Sequence, residues 1–392
     1  MRVLFVVNRC KKNQMQYVRS IAARCDGCHV IISYLGHENT AQYGLLEPND
    51  AIPSITVLHP GQIREGEIDL ARFRDEVRAA IGRLKPDIVH CLYYYHDALT
   101  VEVRGVLAET GHPAALIYET RDPTYIHRPK LPERQALDAS DGYIFATRAI
   151  VDDLFARTLK EHEPHLIVRQ SESYADRDAV PTKLSAEDGR THVGLLGSFS
   201  EDPTNGRHYD AYFDAFLAST RNTVLHVFPH LRMPYLDAAV ARHGGRLVLH
   251  WDDRPYVGRV GQLRNAYTST VGRLDFNLVA HVLGRPQDDR EMLRVCNPTK
   301  ATSPLVLADL PVLCLPHYRG VVDLIDEFGC GYVYRGWHDL DALLNDRSRW
   351  PPLIEAARRA ALAICHEAQA ERIEAFYRTV RERRFGAAAS RS

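Results

Sequence analysis

The chain has 392 residues, which at roughly 150 residues per domain predicts two or three domains. Apolar residues at 45% and charged residues at 25% match ordinary folded proteins and exclude a disordered chain. Forty-nine basic side chains face fifty acidic ones, a formal charge of −1, so no global field recruits nucleic acid or an anionic membrane.

Only seven of the basic residues are lysines, so a Lys beside a strand end stands out. No apolar run approaches the roughly eighteen residues of a membrane span, and the run from Val3 to Val7 is too brief for a signal-peptide core. A cytoplasmic chain without a transmembrane segment is expected. Eight scattered cysteines are too sparse for a disulfide framework and are expected to be reduced and mostly buried.

In chain order, Arg2-Val-Leu-Phe-Val-Val-Asn8 reads as a strand buried on both faces, followed by a helix over 14–24 and a strand over 30–33. The alternation goes on with strands at 54–58, 87–90, 115–118, 143–146 and 166–168, and helices at 70–84 and 96–110. Strands separated by helices predict a right-handed, doubly wound parallel sheet. The pattern lapses in 171–190, where the boundary falls: a first domain over 1–172 and a linker over 173–190. It restarts with strands at 192–197, 223–228, 246–250, 276–279, 311–315 and 331–334, and helices at 210–219 and 235–243, giving a second α/β domain over 191–365. Residues 352–384 read as helical, with the last segment, 366–392, treated as a separate C-terminal helix.

Neither half carries the glycine fingerprint of a dinucleotide-binding oxidoreductase, and no Walker motif is present. Cys25-Asp-Gly-Cys28-His29 formally fits covalent haem attachment, but its setting favours a helix-to-strand turn, and no metal or other cofactor is expected. The paired aspartates at 252–253 and 288–289 read as solvated loop charge, and the nineteen histidines as scattered.

The densest signal is Asn297-Pro-Thr299-Lys300 followed by Thr302 and Ser303-Pro304. Ser303 is a good N-cap and Pro304 suits the first helical turn, so a short helix is expected to open there with Lys300 beside it, a phosphate-sized anion site. Gly197-Ser198-Phe199, ending the restarting strand, is either a tight turn or a second place where backbone approaches a ligand. In the first half, Tyr94 and His96, then Glu119, Arg121 and Asp122, sit at strand ends and offer groups that bond a polyhydroxylated molecule or move a proton. The tyrosines serve equally well as packing.

The order of these segments resembles the two-domain GT-B glycosyltransferases, within them family 4. The resemblance rests on Gly27-Cys-His-Val30, Lys85-Pro-Asp-Ile-Val-His90, Asp141-Gly-Tyr-Ile-Phe-Ala146, Val193-Gly-Leu-Leu-Gly-Ser198, Asn297-Pro-Thr-Lys300, Leu310-Pro-Val312 and Gly329-Cys-Gly331. It implies two Rossmann-like domains facing a cleft, the C-terminal domain holding a nucleotide-diphosphate sugar, the N-terminal domain holding a small-molecule or envelope glycan acceptor, and the last helix crossing back. Carried over by position, Lys300 is the basic residue at the diphosphate, Ser198 and Phe199 belong to the donor loop, and Asp122 is the acidic position of the acceptor domain. The implied transfer is metal-independent and commonly retaining. Two positions depart from the family: Arg9-Cys-Lys-Lys12 replaces a Gly-Gly loop, and Pro304 occupies the place of a ribose-binding Glu. A nucleotide-sugar epimerase of the same fold and a noncatalytic sugar-nucleotide-binding protein are the competing expectations.

Overall fold

Short runs of apolar, largely β-branched residues bounded by polar ends can satisfy their backbone only by pairing, and here they pair into two parallel sheets. The computed structural model describes residues 1–10, 12–35, 46–59, 68–93, 98–121, 133–157, 164–177, 181–197, 199–204, 207–229, 232–250, 270–280 and 299–389. Two units divide the chain: residues 1–169 with 366–392, and residues 170–365.

The first unit contains β1 (Arg2–Cys10), β2 (Gly27–Leu35), β3 (Ser54–His59), β4 (Ile88–Tyr93), β5 (Ala115–Thr120), β6 (Gly142–Phe145) and β7 (His165–Ile167). Its sheet runs β3-β2-β1-β4-β5-β6-β7 with every pairing parallel. The winding direction reverses between β1 and β4, which opens a crevice at their carboxyl ends. The second unit contains β8 (Thr191–Gly197), β9 (Thr223–Pro229), β10 (Leu247–Leu249), β11 (Phe276–Val279), β12 (Val312–Cys314) and β13 (Gly331–Val333). Its order, β10-β9-β8-β11-β12-β13, is again fully parallel, and the reversal falls between β8 and β11. The doubly wound α/β architecture read from the sequence is therefore present twice.

Local chemistry sets the element ends. The helix Leu70–Leu84 begins where Asp69 accepts a bond from the Arg72 N–H and stops at Lys85, whose left-handed conformation (φ 47°) returns its N–H to Ile81 O. The expected helical tail is two helices, Trp350–Ile364 and His366–Ala389, separated at Cys365 by extended backbone (φ −60°, ψ 160°). That break coincides with the boundary between the units. The last helix returns to the first unit, where Ile373, Phe376, Tyr377 and Val380 share a core with Phe5, Val30 and Ile117. Gly142 permits this packing, because a Cβ there would lie 2.6 Å from Val380 Cγ2.

The irregular stretch over 173–190 is fastened to the second unit. Arg177 pairs with Asp309, Lys183 Nζ donates to Gly272 O (2.8 Å) and Leu274 O (2.7 Å), and Ser185 Oγ donates to Asp275 (2.6 Å).

Candidate functional site

In the second unit the candidate site lies where the sheet's winding reverses. The helix expected to open at Ser303 begins four residues earlier, as Thr299–Ala308, with Pro304 inside it. Pro304 has no N–H, so Lys300 O, four residues back, loses its helical donor. Asn277 of β11 replaces it, its Nδ2 donating to Lys300 O at 2.8 Å. That substitution lets the helix run on through the proline and puts Lys300 in its first turn, where backbone N–H groups lack intrahelical acceptors.

The Lys300 ammonium turns to the carboxyl ends of β8 and β11. Its Nζ lies 3.5 Å from Ala280 O, just past β11, and a Cβ on Gly197 at the end of β8 would come within 3.3 Å of it. Gly197 is the residue type that leaves room for the cation. Burial, then the field of Arg207, brings the Lys300 pKa down to about 7. The Lys300 ammonium, the field of Arg207 and the start of a ten-residue helix thus act together at one sheet edge, an arrangement that attracts a polyanion. Thr302 and Ser303 are buried one turn along the helix, and Ser303 Oγ donates to Glu172 Oε1 at 2.8 Å. The Phe199 ring sits in the core, tilted against Tyr209 with centroids 5.0 Å apart.

In the first unit, Glu119 and Arg121 stand at the carboxyl end of β5, both buried. Arg121 Nε donates to Glu119 Oε1 (2.8 Å), Tyr17 Oη donates to Glu119 Oε2 (2.9 Å), and the guanidinium lies 4.5 Å over the Tyr17 ring. His90 Nε2 lies 3.1 Å from Glu119 Oε2, and His90 Nδ1 is 2.5 Å from Tyr377 Oη. Burial alone would push the Glu119 carboxyl up, but Arg121 and His90 outweigh it and bring its pKa down to about 2. The carboxylate stays ionised and the guanidinium held. Glu119 and Arg121 are thus brought together; Tyr94, His96, Asp122, Ser198 and Asn297 lie outside the described residues, as do the paired aspartates, and of Thr299 only the backbone is described.

Arg207, Asn277, Glu172, Tyr17, His90 and Tyr377 were not singled out by sequence. Asn277 and Glu172 act across 23 and 131 residues of chain, separations that no local motif records. Three histidines that look scattered also line up across the second sheet: His192 Nδ1 is 2.8 Å from His226 Nε2, His226 Nδ1 is 2.8 Å from His250 Nε2, and Asp188 lies 3.0 Å from His192 Nε2. Cys25 and Cys28 are separate free thiols, and His29 bonds Thr56 Oγ1 at 3.3 Å.

No family model and no curated protein matches the chain. Solved structures do. The apo lipopolysaccharide outer core galactosyltransferase WaaB superposes with a TM-score of 0.64 at 13% identity, over 97% of this chain and 99% of that one. A glycosyltransferase from Rickettsia africae gives 0.61 at 11% identity, over 97% and 98%. A UDP-N-acetylglucosamine 2-epimerase gives 0.58 at 12% identity, over 100% and 96%. The chain has the GT-B fold of these enzymes. Among the described residues, no helix is long and apolar enough to cross a membrane.

Proposed function

We propose that this chain is a glycosyltransferase moving a sugar from a nucleoside diphosphate sugar to a hydroxyl or amine acceptor. One observation carries the reading: Lys300, perturbed to about 7 and neighboured by Arg207, meets Gly197 and a helix start at the β8–β11 reversal. Departure of a nucleoside diphosphate develops negative charge, and preorganised positive charge at that point stabilises it without requiring a metal. The second unit takes the donor, with Gly197, Ser198, Phe199, Asn297, Thr299, Thr302 and Ser303 around the diphosphate. The first takes a small-molecule or envelope glycan acceptor at Tyr94, His96, Glu119, Arg121 and Asp122, Asp122 orienting the attacking group. With Pro304 at the family's ribose-carboxylate position, Glu172, bonded by Ser303, takes the ribose hydroxyls instead.

The shared fold of the 2-epimerase supports a second reading, nucleotide-sugar epimerisation. Nucleotide release measured over UDP- and GDP-sugars, with and without p-nitrophenyl hexosides as acceptors, separates them. Transfer releases nucleotide in proportion to acceptor, epimerisation converts donor without acceptor, and a binding protein saturates without turnover. Donor conversion that ignores every acceptor would overturn the transferase reading.

A further inference from the structure

Alternate residues of a strand share a face, so His90 belongs to the stripe of Ile88 and Leu92 on β4, and Glu119 to that of Ala115 and Ile117 on β5. Those four apolar residues lie in the core of the first unit. Two polar side chains on so apolar a face are costly unless bonded. The partners come from the two helices covering that face: Tyr17 of Lys12–Ala22 and Tyr377 of His366–Ala389.

The result is a continuous file. It starts at Tyr377 on the last helix, passes through His90 (2.5 Å) and Glu119 (3.1 Å), and ends at Arg121 (2.8 Å), at the carboxyl edge of the sheet. Phe5 of β1 closes the other side of the imidazole, ring centroids 5.5 Å apart. The Tyr377 hydroxyl and His90 Nδ1 share one hydrogen bond, which fixes the ring so that Nε2 faces the Glu119 carboxylate. Glu119 has both oxygens hydrogen-bonded, Oε1 by Arg121 and Oε2 by Tyr17, while His90 Nε2 contacts Oε2 at 3.1 Å without the alignment of a hydrogen bond. Arg121 Nη2 is buried with no hydrogen-bond partner among the described residues, so the guanidinium is held to Glu119 by its Nε alone.

We infer that Tyr377 and His90 are positioning residues for the Glu119–Arg121 pair, so that the C-terminal helix sets the geometry of the acceptor side through a hydroxyl–imidazole–carboxylate relay. The inference rests on the reading that β5's carboxyl end lines the acceptor site. Removing one hydroxyl from the last helix, far along the chain from β5, frees the imidazole and loosens the carboxylate that fixes Arg121.

The test follows the Arg121 Nε–H resonance in the full chain by NMR, assigned by its loss in Arg121→Lys. In Tyr377→Phe its exchange with solvent should accelerate at least about tenfold, and in His90→Gln, which breaks the file in the middle, likewise; Thr379→Ala on the same helix should leave it unchanged. Exchange within twofold of wild type in Tyr377→Phe, or in His90→Gln should the first variant fail to fold, overturns the inference. In a kinetic arm with UDP-sugars and p-nitrophenyl hexosides, Tyr377→Phe should raise the acceptor KM about fivefold or more, with donor KM and acceptor-free nucleotide release within twofold. An unmoved acceptor KM overturns the inference. A wild-type chain that transfers to none of these acceptors overturns the transferase reading instead, and the NMR arm still decides the coupling.

Discussion

The histidine file of the second unit makes acid stability a quantitative test of the structure. Asp188 accepts from His192 Nε2, which leaves His192 Nδ1 to accept from His226 and His226 Nδ1 to accept from His250. His226 is only 5% exposed and neutral in this scheme; burial, then His250 and His192, lowers its pKa to about 3. A depressed folded-state pKa means the unfolded chain takes up its proton first, so stability is full above the unfolded value of about 6.5 and falls as pH drops toward 3. Between pH 6.5 and 5 the loss is about 2 kcal/mol, at about 1.4 kcal/mol per pH unit. Lys183 and Lys300, with pKa values of about 8 and about 7, act chiefly above that window and add little slope within it. The variant His226→Gln keeps a donor toward His192 and an acceptor toward His250 but cannot titrate. All three tryptophans, Trp251, Trp337 and Trp350, belong to the second unit, so urea unfolding followed by Trp fluorescence reports on it alone. The wild type should lose about 2 kcal/mol from pH 6.5 to 5, and His226→Gln less than about 0.5 kcal/mol. Parallel curves for the two proteins would refute the reasoning.

The remaining predictions concern single contacts. Asn277→Leu leaves Lys300 O without its replacement donor and should cost about 1–3 kcal/mol in urea unfolding, whereas in a Pro304→Ala background the restored N–H should recover most of that loss, a coupling read from a double-mutant cycle. Glu172→Ala should weaken UDP binding about tenfold while leaving pyrophosphate binding within twofold, since only the nucleotide carries a ribose; equal effects on both would remove Glu172 from that role. Gly142→Val drives its side chain into Val380 and Phe376, so thermal unfolding of the first unit should drop by several degrees. Glu119→Gln removes a carboxylate whose pKa falls to about 2, so the stability the wild type gains above about 4.5, and loses as pH falls toward 2, should disappear from the acid limb of its unfolding curve.

Much of the fold was legible because its signals are local. The helices Leu70–Leu84 and Asp210–Ser219 and the strand Phe276–Val279 fall on the residues that periodicity and flanking polar groups mark. The helices Arg319–Phe328 and Trp337–Asn345 have no side-chain hydrogen bond at their N-caps and were not read. Pro304 misled for a definite reason: a proline usually marks a helix start, and the contact that cancels its cost comes from Asn277, on another strand. The same holds for the chemistry. Lys300 was conspicuous through the rarity of lysine, yet what perturbs it includes Arg207, whose loop carries no motif. His90 and Glu119 sit in strands as single polar residues, and only the sheet register, which sets Leu92 opposite Glu119 and His90 opposite Ile117, brings them together. The histidine file joins residues 34 and 24 positions apart, and no spacing rule finds it.

The most direct test of the donor site is calorimetric titration of UDP and GDP into the wild type and Lys300→Ala at pH 6.5 and 8.5. Because the Lys300 pKa is about 7, the wild type should bind one of these diphosphates and bind it more weakly at pH 8.5. The variant should bind at least about tenfold more weakly at pH 6.5 and lose the pH dependence. Binding of neither diphosphate by the wild type, or equal isotherms for the two proteins, would contradict a diphosphate at Lys300.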